Sequence, residues 1–262
     1  MASNPAFHTG LTPLAGKLAA RIAANGPISF HDYMEACLYD PEYGYYRNKA
    51  PLGRGGDFIT APEISQVFGE IIGLWAGEVW RLLGEPGRLR LIELGPGRGT
   101  LMADALRVLR VLPAFMKAVT VHLVETSEAL RNAQARALGP IDCPIDWHGC
   151  IEEIPSGPTV LIANEFFDCL PVRQFQYDEL SGLWRERRVA FGQGSFKFAA
   201  SSPSPLGERA GVRGDWQAIE DGTIAETRPA TRAILQTLSG RAAAAPFVAI
   251  VIDYGYSKPS FG

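Results

Sequence analysis

The segment Leu89–Leu101 constrains the fold of this chain most. Its sequence is Leu-Arg-Leu-Ile-Glu-Leu-Gly-Pro-Gly-Arg-Gly-Thr-Leu, an apolar run that leads into a turn with glycine at three alternate positions. Glycine permits positive φ angles and lets a ligand approach the backbone closely. Because a helical pattern follows at once, the segment predicts a strand, a glycine turn and a helix, the arrangement with which α/β proteins hold nucleotide-like ligands.

The spacing of the three glycines narrows the class of ligand. Gly95, Gly97 and Gly99 form G-x-G-x-G, which departs from the G-x-G-x-x-G of dinucleotide-binding proteins and speaks against a nicotinamide-linked dehydrogenase. With Glu93 two residues before the first glycine, the turn resembles motif I of the S-adenosylmethionine (SAM) methyltransferases, which holds an amino-acid moiety and a ribose. For a glycine turn by itself, a structural loop is the alternative.

An acid ends the second apolar strand candidate, Val119–Glu125. In nucleotide-binding sheets, an acid at this place accepts hydrogen bonds from the ribose hydroxyls. The stretch between Gly99 and Glu125 leaves room for one crossover helix, near Leu101–Leu109. The alternative is that Glu125 only begins the next helix, because capping residues such as Ser127 follow it and an acid is favourable at a helix N-terminus.

Composition bounds the class of protein. A chain of 262 residues with 47% hydrophobic content can bury the core of one large domain, with or without a helical addition. A net charge of −3 without a basic run argues against a nucleic-acid partner. No apolar stretch reaches the ~18–20 residues of a membrane span, so membrane insertion is not expected. The four scattered cysteines predict thiols in a reducing compartment and neither a disulfide frame nor a metal site.

Strand and helix patterns alternate from residue 86 to about 180, which predicts a parallel sheet with right-handed crossovers. The strand candidates are Leu89–Leu94, Val119–Glu125, Ile145–His148, Thr159–Ala163 and, near the end of the chain, Phe247–Gly255. The region 1–85 is expected to be mostly helical, with a helix over Ile64–Leu83. We therefore predict a helical N-terminal region, 1–85, that carries a loop over the cofactor, and a Rossmann-like domain, 86–262.

Residues 181–222 are expected to be antiparallel or irregular. Trp184–Val189 has the pattern of a strand, and a hairpin is expected near Gly192–Gly194. The Pro-, Gly- and Ser-rich stretch near 199–215 predicts an irregular insertion into the domain.

A polar segment follows the strand candidate Thr159–Ala163. Asn164, Glu165 and Asp168 lie there beside two phenylalanines, at the edge where ligands bind in open α/β folds. If the segment forms a turn of helix, both carboxylates could face one cleft, bind a guanidinium and hold its nitrogen against a methyl donor. The alternative is a helix N-terminus, with Asn164 as the capping residue.

The four histidines suggest no catalytic arrangement. His8, His31, His122 and His148 lie far apart in the sequence, and His122 falls inside a strand candidate, where a role in the core is favoured.

Five blocks of sequence together resemble the MidA-like SAM-dependent methyltransferases, a family that includes a mitochondrial complex I assembly factor with protein arginine methyltransferase activity. The blocks are Gly26–Phe30, Tyr39–Tyr46, Gly56–Glu70, Glu93–Leu101 and Asn164–Val172. They occur in the family's order over nearly the whole chain. The third block is the most specific, because no general structural reason makes it recur.

The resemblance implies a Rossmann-like fold, SAM as the cofactor and an arginine of a protein substrate, for example a subunit of respiratory complex I. It places Asp57, Thr60 and Pro62 near the cofactor, in addition to Glu93, the three glycines and Glu125, which their places in the predicted sheet already assign to it. For the transfer of a methyl group to a guanidinium, Glu165 and Asp168 are the candidates that bind it and take up its proton, and Asn164 is an orienting hydrogen-bond group. The resemblance also implies the mitochondrial matrix as the location in a eukaryote and the cytoplasm in a bacterium.

One departure from the family concerns the last strand candidate. Family members usually continue past the strand that here ends in Asp253-Tyr254-Gly255. The C-terminal part of the sheet is therefore expected to be truncated. A non-catalytic SAM-binding assembly or scaffold protein is accordingly the alternative function.

Overall fold

The computed structural model describes residues 10–48, 60–200 and 220–255. These ranges contain nine α-helices and ten β-strands. The helices are α1 (Pro13–Asn25), α2 (Phe30–Tyr39), α3 (Tyr45–Asn48), α4 (Ala61–Ile64), α5 (Gln66–Leu82), α6 (Thr100–Leu109), α7 (Pro113–Ala118), α8 (Glu128–Leu138) and α9 (Pro229–Ala244). The strands are β1 (Ile28–Ser29), β2 (Leu89–Leu94), β3 (Val119–Val124), β4 (Ile145–His148), β5 (Thr159–Asn164), β6 (Arg173–Asp178), β7 (Leu183–Gly192), β8 (Ser195–Ala200), β9 (Ile224–Thr227) and β10 (Phe247–Ile252).

The chain divides into two compact units. The first unit comprises residues 1–48, 170–230 and 255–262, and the second comprises residues 49–169 and 231–254. The boundary expected at residue 85 stays a prediction, and the two units divide the chain elsewhere. Helix α5, for example, belongs to the same unit as the parallel sheet.

The second unit contains a five-stranded parallel sheet in the order β10-β5-β2-β3-β4. The chain runs from β2 outward to β3 and β4, and then returns to β5 on the other side of β2. The strand order therefore reverses between β2 and β5, and ligands of open α/β sheets bind at such a reversal. This is the parallel Rossmann-like sheet that the sequence predicts, although its last strand ends at Ile252 and not at Gly255.

Strand β2 lies in the middle of the sheet and is buried on both faces, as is usual for parallel sheets. Leu89, Leu91, Ile92 and Leu94 are each at most 1% exposed. Helices α5 and α6 pack against each other beside this core. Gly73 allows their close contact, because a Cβ atom there would lie 2.6 Å from the carbonyl oxygen of Ala105. This packing fixes the helix that follows the glycine turn.

The helix expected over Ile64–Leu83 is divided between α4 and α5. Two residues expected on its apolar face, Val67 and Ile71, are 54% and 59% exposed, so this part of the prediction is wrong. The buried face of α5 instead follows the four-residue spacing of Gly69, Gly73 and Gly77, because these small residues set where α6 packs.

Strands β3 and β4 are adjacent, and this brings together two histidines that are distant in sequence. The Nδ1 atom of His122 lies 3.0 Å from the Nε2 atom of His148. The two histidines are far apart in the sequence but adjacent in the fold. Parallel pairing places His122 opposite Asp146 and Val124 opposite His148.

The first unit contains an antiparallel sheet formed by β1, β6, β7, β8 and β9. The predicted hairpin is present between β7 and β8, where Gln193 and Gly194 both have positive φ angles, 53° and 76°. Positive φ at both loop residues is typical of the two-residue turns that join twisted strands. The expected insertion near 199–215 falls mostly on residues 201–219, which lie outside the described ranges.

Two expectations from composition concern membranes and disulfides. Within the described ranges, no helix combines the length and the apolar character needed to cross a bilayer. All four cysteines are described, and none of them forms a disulfide bond.

Candidate functional site

The glycine turn connects β2 to α6 at the reversal of strand order. The φ angles of Gly95, Gly97 and Gly99 are 62°, 53° and 84°. L side chains rarely adopt such angles, so the backbone path itself requires glycine at all three positions. The turn is anchored to the neighbouring strand, because the Gly95 N–H donates a 3.1 Å hydrogen bond to the carbonyl oxygen of Val124.

Close neighbours also exclude side chains from this turn. A Cβ atom on Gly95 would lie 2.7 Å from the ring of Phe166, and one on Gly99 would lie 3.2 Å from the Cα atom of Gln134. The first of these contacts joins the glycine turn to the segment that carries the predicted catalytic residues. The structure thus brings the two predicted parts of the site together.

Gln134 on α8 supports the turn from behind and was not predicted from the sequence. Its Nε2 atom donates a 2.7 Å hydrogen bond to the carbonyl oxygen of Gly97, and its Oε1 atom accepts one of 2.9 Å from Trp147 Nε1. Gln134 is completely buried. The signal for it was present, because it lies four residues from both Leu130 and Leu138 on the inward face of an amphipathic helix, where a polar residue is unusual.

Glu125 lies directly after β3, at the place where a ribose-binding acid is expected. Its Oε1 atom accepts a 2.7 Å hydrogen bond from the Ser127 N–H, and its Oε2 atom has a longer contact of 3.5 Å with Gln134. Burial raises the pKa of the Glu125 carboxyl group. Ser127, whose side chain accepts from the Leu130 N–H, is the capping residue of α8. The helix therefore does not depend on Glu125 for its cap.

Glu93 is a buried acid within β2. The residue is only 3% exposed, and burial raises the pKa of its carboxyl group to about 8. Among the described residues, none offers a hydrogen bond to its Oε2 atom. Burying a carboxyl group without a partner is costly. Such a group, just below the glycine turn, fits a cationic or hydrogen-bonding ligand.

Helix α4 carries the next group of predicted cofactor residues. Thr60 directly precedes α4, and Pro62 is buried in its first turn. The neighbouring Glu63 accepts a 2.6 Å hydrogen bond from the Thr100 hydroxyl, at the first residue of α6. Thr60 and Pro62 are therefore held beside the helix that follows the glycine turn. Asp57 lies outside the described residues.

The segment after β5 forms a non-helical turn. Asn164 is the last residue of β5, and Glu165 has a positive φ angle of 47°. The expected helical turn is therefore wrong, and so is the alternative of a helix capped by Asn164. The physical reason lies in Asp253, which follows β10 and whose Oδ2 atom accepts hydrogen bonds of 3.1 Å from the N–H groups of both Phe167 and Asp168.

The electrostatics of this acidic turn suit a cationic ligand. Burial raises the pKa of Glu165, and the nearby carboxylates of Asp168 and Asp253 raise it further. Within the described ranges, the buried Oδ1 atoms of Asn164 and Asp168 have no hydrogen-bond partner. A positive φ angle in a non-glycine residue carries strain, which is common at functional sites. Asn164 and Asp168 thus present unsatisfied acceptors beside the glycine turn.

These features define a class. A parallel sheet with a glycine turn at its reversal point and acids at the ends of the flanking strands is a nucleotide-type binding domain of the open α/β group. Residues 71–261 match the model of a family described as "putative S-adenosyl-L-methionine-dependent methyltransferase", and the chain belongs to this family.

Curated relatives align with this chain over most of its length. The mitochondrial protein arginine methyltransferase NDUFAF7 of Danio rerio is 37% identical, over 91% of this chain and 61% of the relative. The Homo sapiens protein of the same name is 37% identical, over 97% of this chain and 62% of the relative. This chain thus spans somewhat less than two thirds of the length of these relatives.

A solved structure shares the fold. It is a protein from Burkholderia thailandensis described as a "likely methyl transferase" bound to S-adenosyl-homocysteine, and it is 30% identical with a TM-score of 0.74. The match covers 93% of this chain and 62% of the other. This likeness agrees with the Rossmann-like fold that the sequence predicts.

Proposed function

We propose that this chain binds SAM at the glycine turn and methylates an arginine side chain of a protein substrate. The observation that carries the proposal is the unpartnered carboxyl oxygen of Glu93 below a turn of three glycines with positive φ angles. A ligand with an ammonium group and a ribose matches that chemistry. The relatives named protein arginine methyltransferase support a methyl group as the transferred group and an arginine side chain as its target.

The cofactor residues are assigned by their places around the turn. Gly95, Gly97 and Gly99 let the amino-acid moiety approach the backbone, with the Glu93 carboxyl group as its charged partner. Glu125 accepts the ribose hydroxyls, because it lies at the end of the neighbouring strand and its Oε2 atom makes the longer contact with Gln134, 3.5 Å.

The helix α4 residues complete the cofactor assignment. Thr60 and Pro62 form one wall of the cofactor site, since α4 is bonded to the start of α6 through Glu63 and Thr100. By the family resemblance, Asp57 is assigned to the same wall.

The acidic turn is assigned to the substrate. SAM supplies an electrophilic methyl group on a sulfonium. Glu165 and Asp168 bind and orient the guanidinium, and Asn164 accepts a further hydrogen bond from it. The raised pKa of Glu165 lets this carboxylate take up the proton that the guanidinium nitrogen loses on methylation.

The names of the relatives support a proposal for the partner and the compartment. Those relatives are named as mitochondrial protein arginine methyltransferases. We propose a protein substrate, for example a complex I subunit. We propose the matrix as the location in a eukaryotic cell and the cytoplasm in a bacterial one.

Two measurements test the proposal. Isothermal titration with SAM is expected to give one site per chain, and radiolabelled SAM is expected to transfer its methyl group to protein arginine in a cell extract. Binding without transfer would favour the non-catalytic scaffold instead. A thermal shift with NAD in place of SAM would point to a dehydrogenase and overturn the assignment of the cofactor.

A further inference from the structure

Three potential metal ligands converge on two neighbouring strands of the parallel sheet. His122 lies on β3, and Asp146 and His148 lie on β4. Residues two apart in a strand point to the same face, and the sheet register places His122 opposite Asp146. One nitrogen or oxygen atom from each side chain lies within 4.8 Å of the other two.

The distances fit the coordination of one ion. His122 Nδ1 lies 3.0 Å from His148 Nε2 and 3.7 Å from the Oδ2 atom of Asp146. Zinc binds nitrogen and oxygen at about 2.0–2.2 Å in tetrahedral geometry, which places two ligand atoms roughly 3.4 Å apart. The observed separations lie on both sides of that value, so small movements would bring all three atoms to one centre. A fourth position would be open to water.

A second carboxylate lies near one of the histidines. The Oε2 atom of Glu153 lies 3.9 Å from Nδ1 of His148, which is the ring nitrogen that faces away from His122. This oxygen is held in place by a 2.8 Å hydrogen bond from the Gly149 N–H. Metal-binding histidines commonly have such a carboxylate near their other nitrogen, where it fixes the tautomer and makes the ligand more basic.

The surrounding charges limit the expected affinity. Arg90 and Arg241 act electrostatically on His122 and would oppose a cation, while Asp146 and Glu153 favour it. The two arginines are therefore expected to weaken the binding of a cation at this place.

We propose that His122, Asp146 and His148 form a binding site for a divalent transition-metal ion, with zinc as the best match to two imidazoles and one carboxylate. The ion would cross-link β4, which in the described sheet pairs with β3 alone, to the strand that directly precedes Glu125. The backbone N–H of Glu125 already donates a 3.0 Å hydrogen bond to the carbonyl oxygen of His148. The role is therefore structural support at the margin of the cofactor site.

The experiment uses the untagged chain after chelation, titrated with Zn²⁺ in a calorimeter and with Co²⁺ in a spectrophotometer. We expect one Zn²⁺ per chain, a visible Co²⁺ spectrum of low coordination number, and a rise in the unfolding temperature with Zn²⁺. His148→Gln and Asp146→Asn are each expected to weaken Zn²⁺ binding at least tenfold. Because the Asp146 side chain is 59% exposed, its variant keeps the fold even if His148→Gln does not.

A matched control is available on α2. His31, Asp32 and Glu35 form another group of possible ligands, more exposed and on a single helix. His31→Gln is expected to leave Zn²⁺ affinity and stoichiometry unchanged. Loss of binding in His31→Gln, equal binding in Asp146→Asn and the parent, or no Zn²⁺ binding by the parent would each overturn the proposal. The last result would leave the histidine pair as a packed, hydrogen-bonded part of the core.

Discussion

The Nε2 atom of Gln134 lies 2.7 Å from the carbonyl oxygen of Gly97 and donates a hydrogen bond to it. This bond joins α8 to the middle of the glycine turn. The other end of the same amide accepts from Trp147 on β4. A turn that must hold three positive φ angles is thus braced by one buried side chain, and the brace extends to the edge of the sheet.

We predict that Gln134→Met lowers both stability and SAM affinity. Methionine keeps the volume, but it leaves the Trp147 N–H and the Gly97 carbonyl unsatisfied, which costs roughly 1–3 kcal/mol for a buried group. Denaturant unfolding and calorimetry with SAM measure the two effects. Adding Trp147→Phe removes the orphaned donor and is expected to restore part of the stability but none of the SAM affinity. Recovery of both together would contradict a bracing role for Gln134.

Gly97→Val is expected to abolish SAM binding and leave the fold largely intact. The matched control is Gly84→Val, because Gly84 also has a positive φ angle, 83°, but has open space around its Cα atom. Both variants carry a similar backbone strain of about 1–2 kcal/mol. The unfolding temperature should therefore fall by a similar amount in the two variants. Calorimetry with SAM should show a loss of binding in Gly97→Val but not in Gly84→Val. Normal SAM binding by Gly97→Val would make the turn a purely structural loop.

Glu125→Ala is expected to weaken SAM binding by roughly 2–3 kcal/mol, the range for hydrogen bonds to a charged group in a partly buried site. Calorimetry with SAM gives the value, and Ser127→Ala is the control because it removes the cap of α8 and leaves the carboxylate. A change below about 0.5 kcal/mol, which is within the scatter of surface substitutions, would restrict Glu125 to a local role before α8.

Glu93 makes stability depend on pH. Its pKa in the folded chain, about 8, lies above the ordinary value of 4.5. The folded state therefore binds this proton more tightly than the unfolded state, and the stabilisation is complete below about pH 4.5 and is lost as the pH rises through about 8. The free energy of unfolding should fall across that window, by an upper limit of ~5 kcal/mol.

The variant Glu93→Gln isolates this effect. Denaturant unfolding at several pH values is expected to show that the free energy of unfolding falls less with rising pH in Glu93→Gln than in the parent. Saturating SAM should also make this free energy fall less in the parent, because an ammonium partner favours the ionised carboxylate. Identical pH profiles for parent and variant would show that Glu93 is not the buried acid responsible.

The strands of the parallel sheet were predictable because a local pattern of residues marks each of them. Leu89–Leu94 and Thr159–Ala163 are mainly apolar segments followed by polar or turn residues, and burial on both faces of a parallel strand favours such segments. The glycine turn was predictable for the same reason, since three positive φ angles need three glycines.

What the sequence could not predict depends on contacts between distant segments. The acidic turn is shaped by Asp253, which lies far along the chain and bonds to Phe167 and Asp168. His122 and His148 meet only because β3 and β4 pair. The spacing of Gln134 from Leu130 and Leu138 marks it as inward-facing, but only the packed structure places it behind the turn.

The acidic turn carries the catalytic proposal. Glu165→Gln and Asp168→Asn keep the shape of these side chains but remove the charge that would bind a guanidinium. We expect methyl transfer to protein arginine to fall at least a hundredfold, about 2.7 kcal/mol in the barrier, with SAM affinity near that of the parent. Radiolabel transfer and calorimetry measure the two quantities. Glu128→Gln, in the first turn of α8, is the control for loss of an exposed acid.

Asp253→Ala distinguishes positioning from direct contact with the substrate. Removing its carboxylate frees the N–H groups of Phe167 and Asp168, so the turn should loosen while Glu165 keeps its charge. Transfer is expected to fall, and Asp253→Asn, which retains an acceptor oxygen, should recover part of it. All variants are compared in this chain and in a full-length relative, so that an inactive parent is recognised. Transfer within a few-fold of the parent in both Glu165→Gln and Asp168→Asn would remove these acids from the reaction and leave the turn as a support for Gly95 through Phe166.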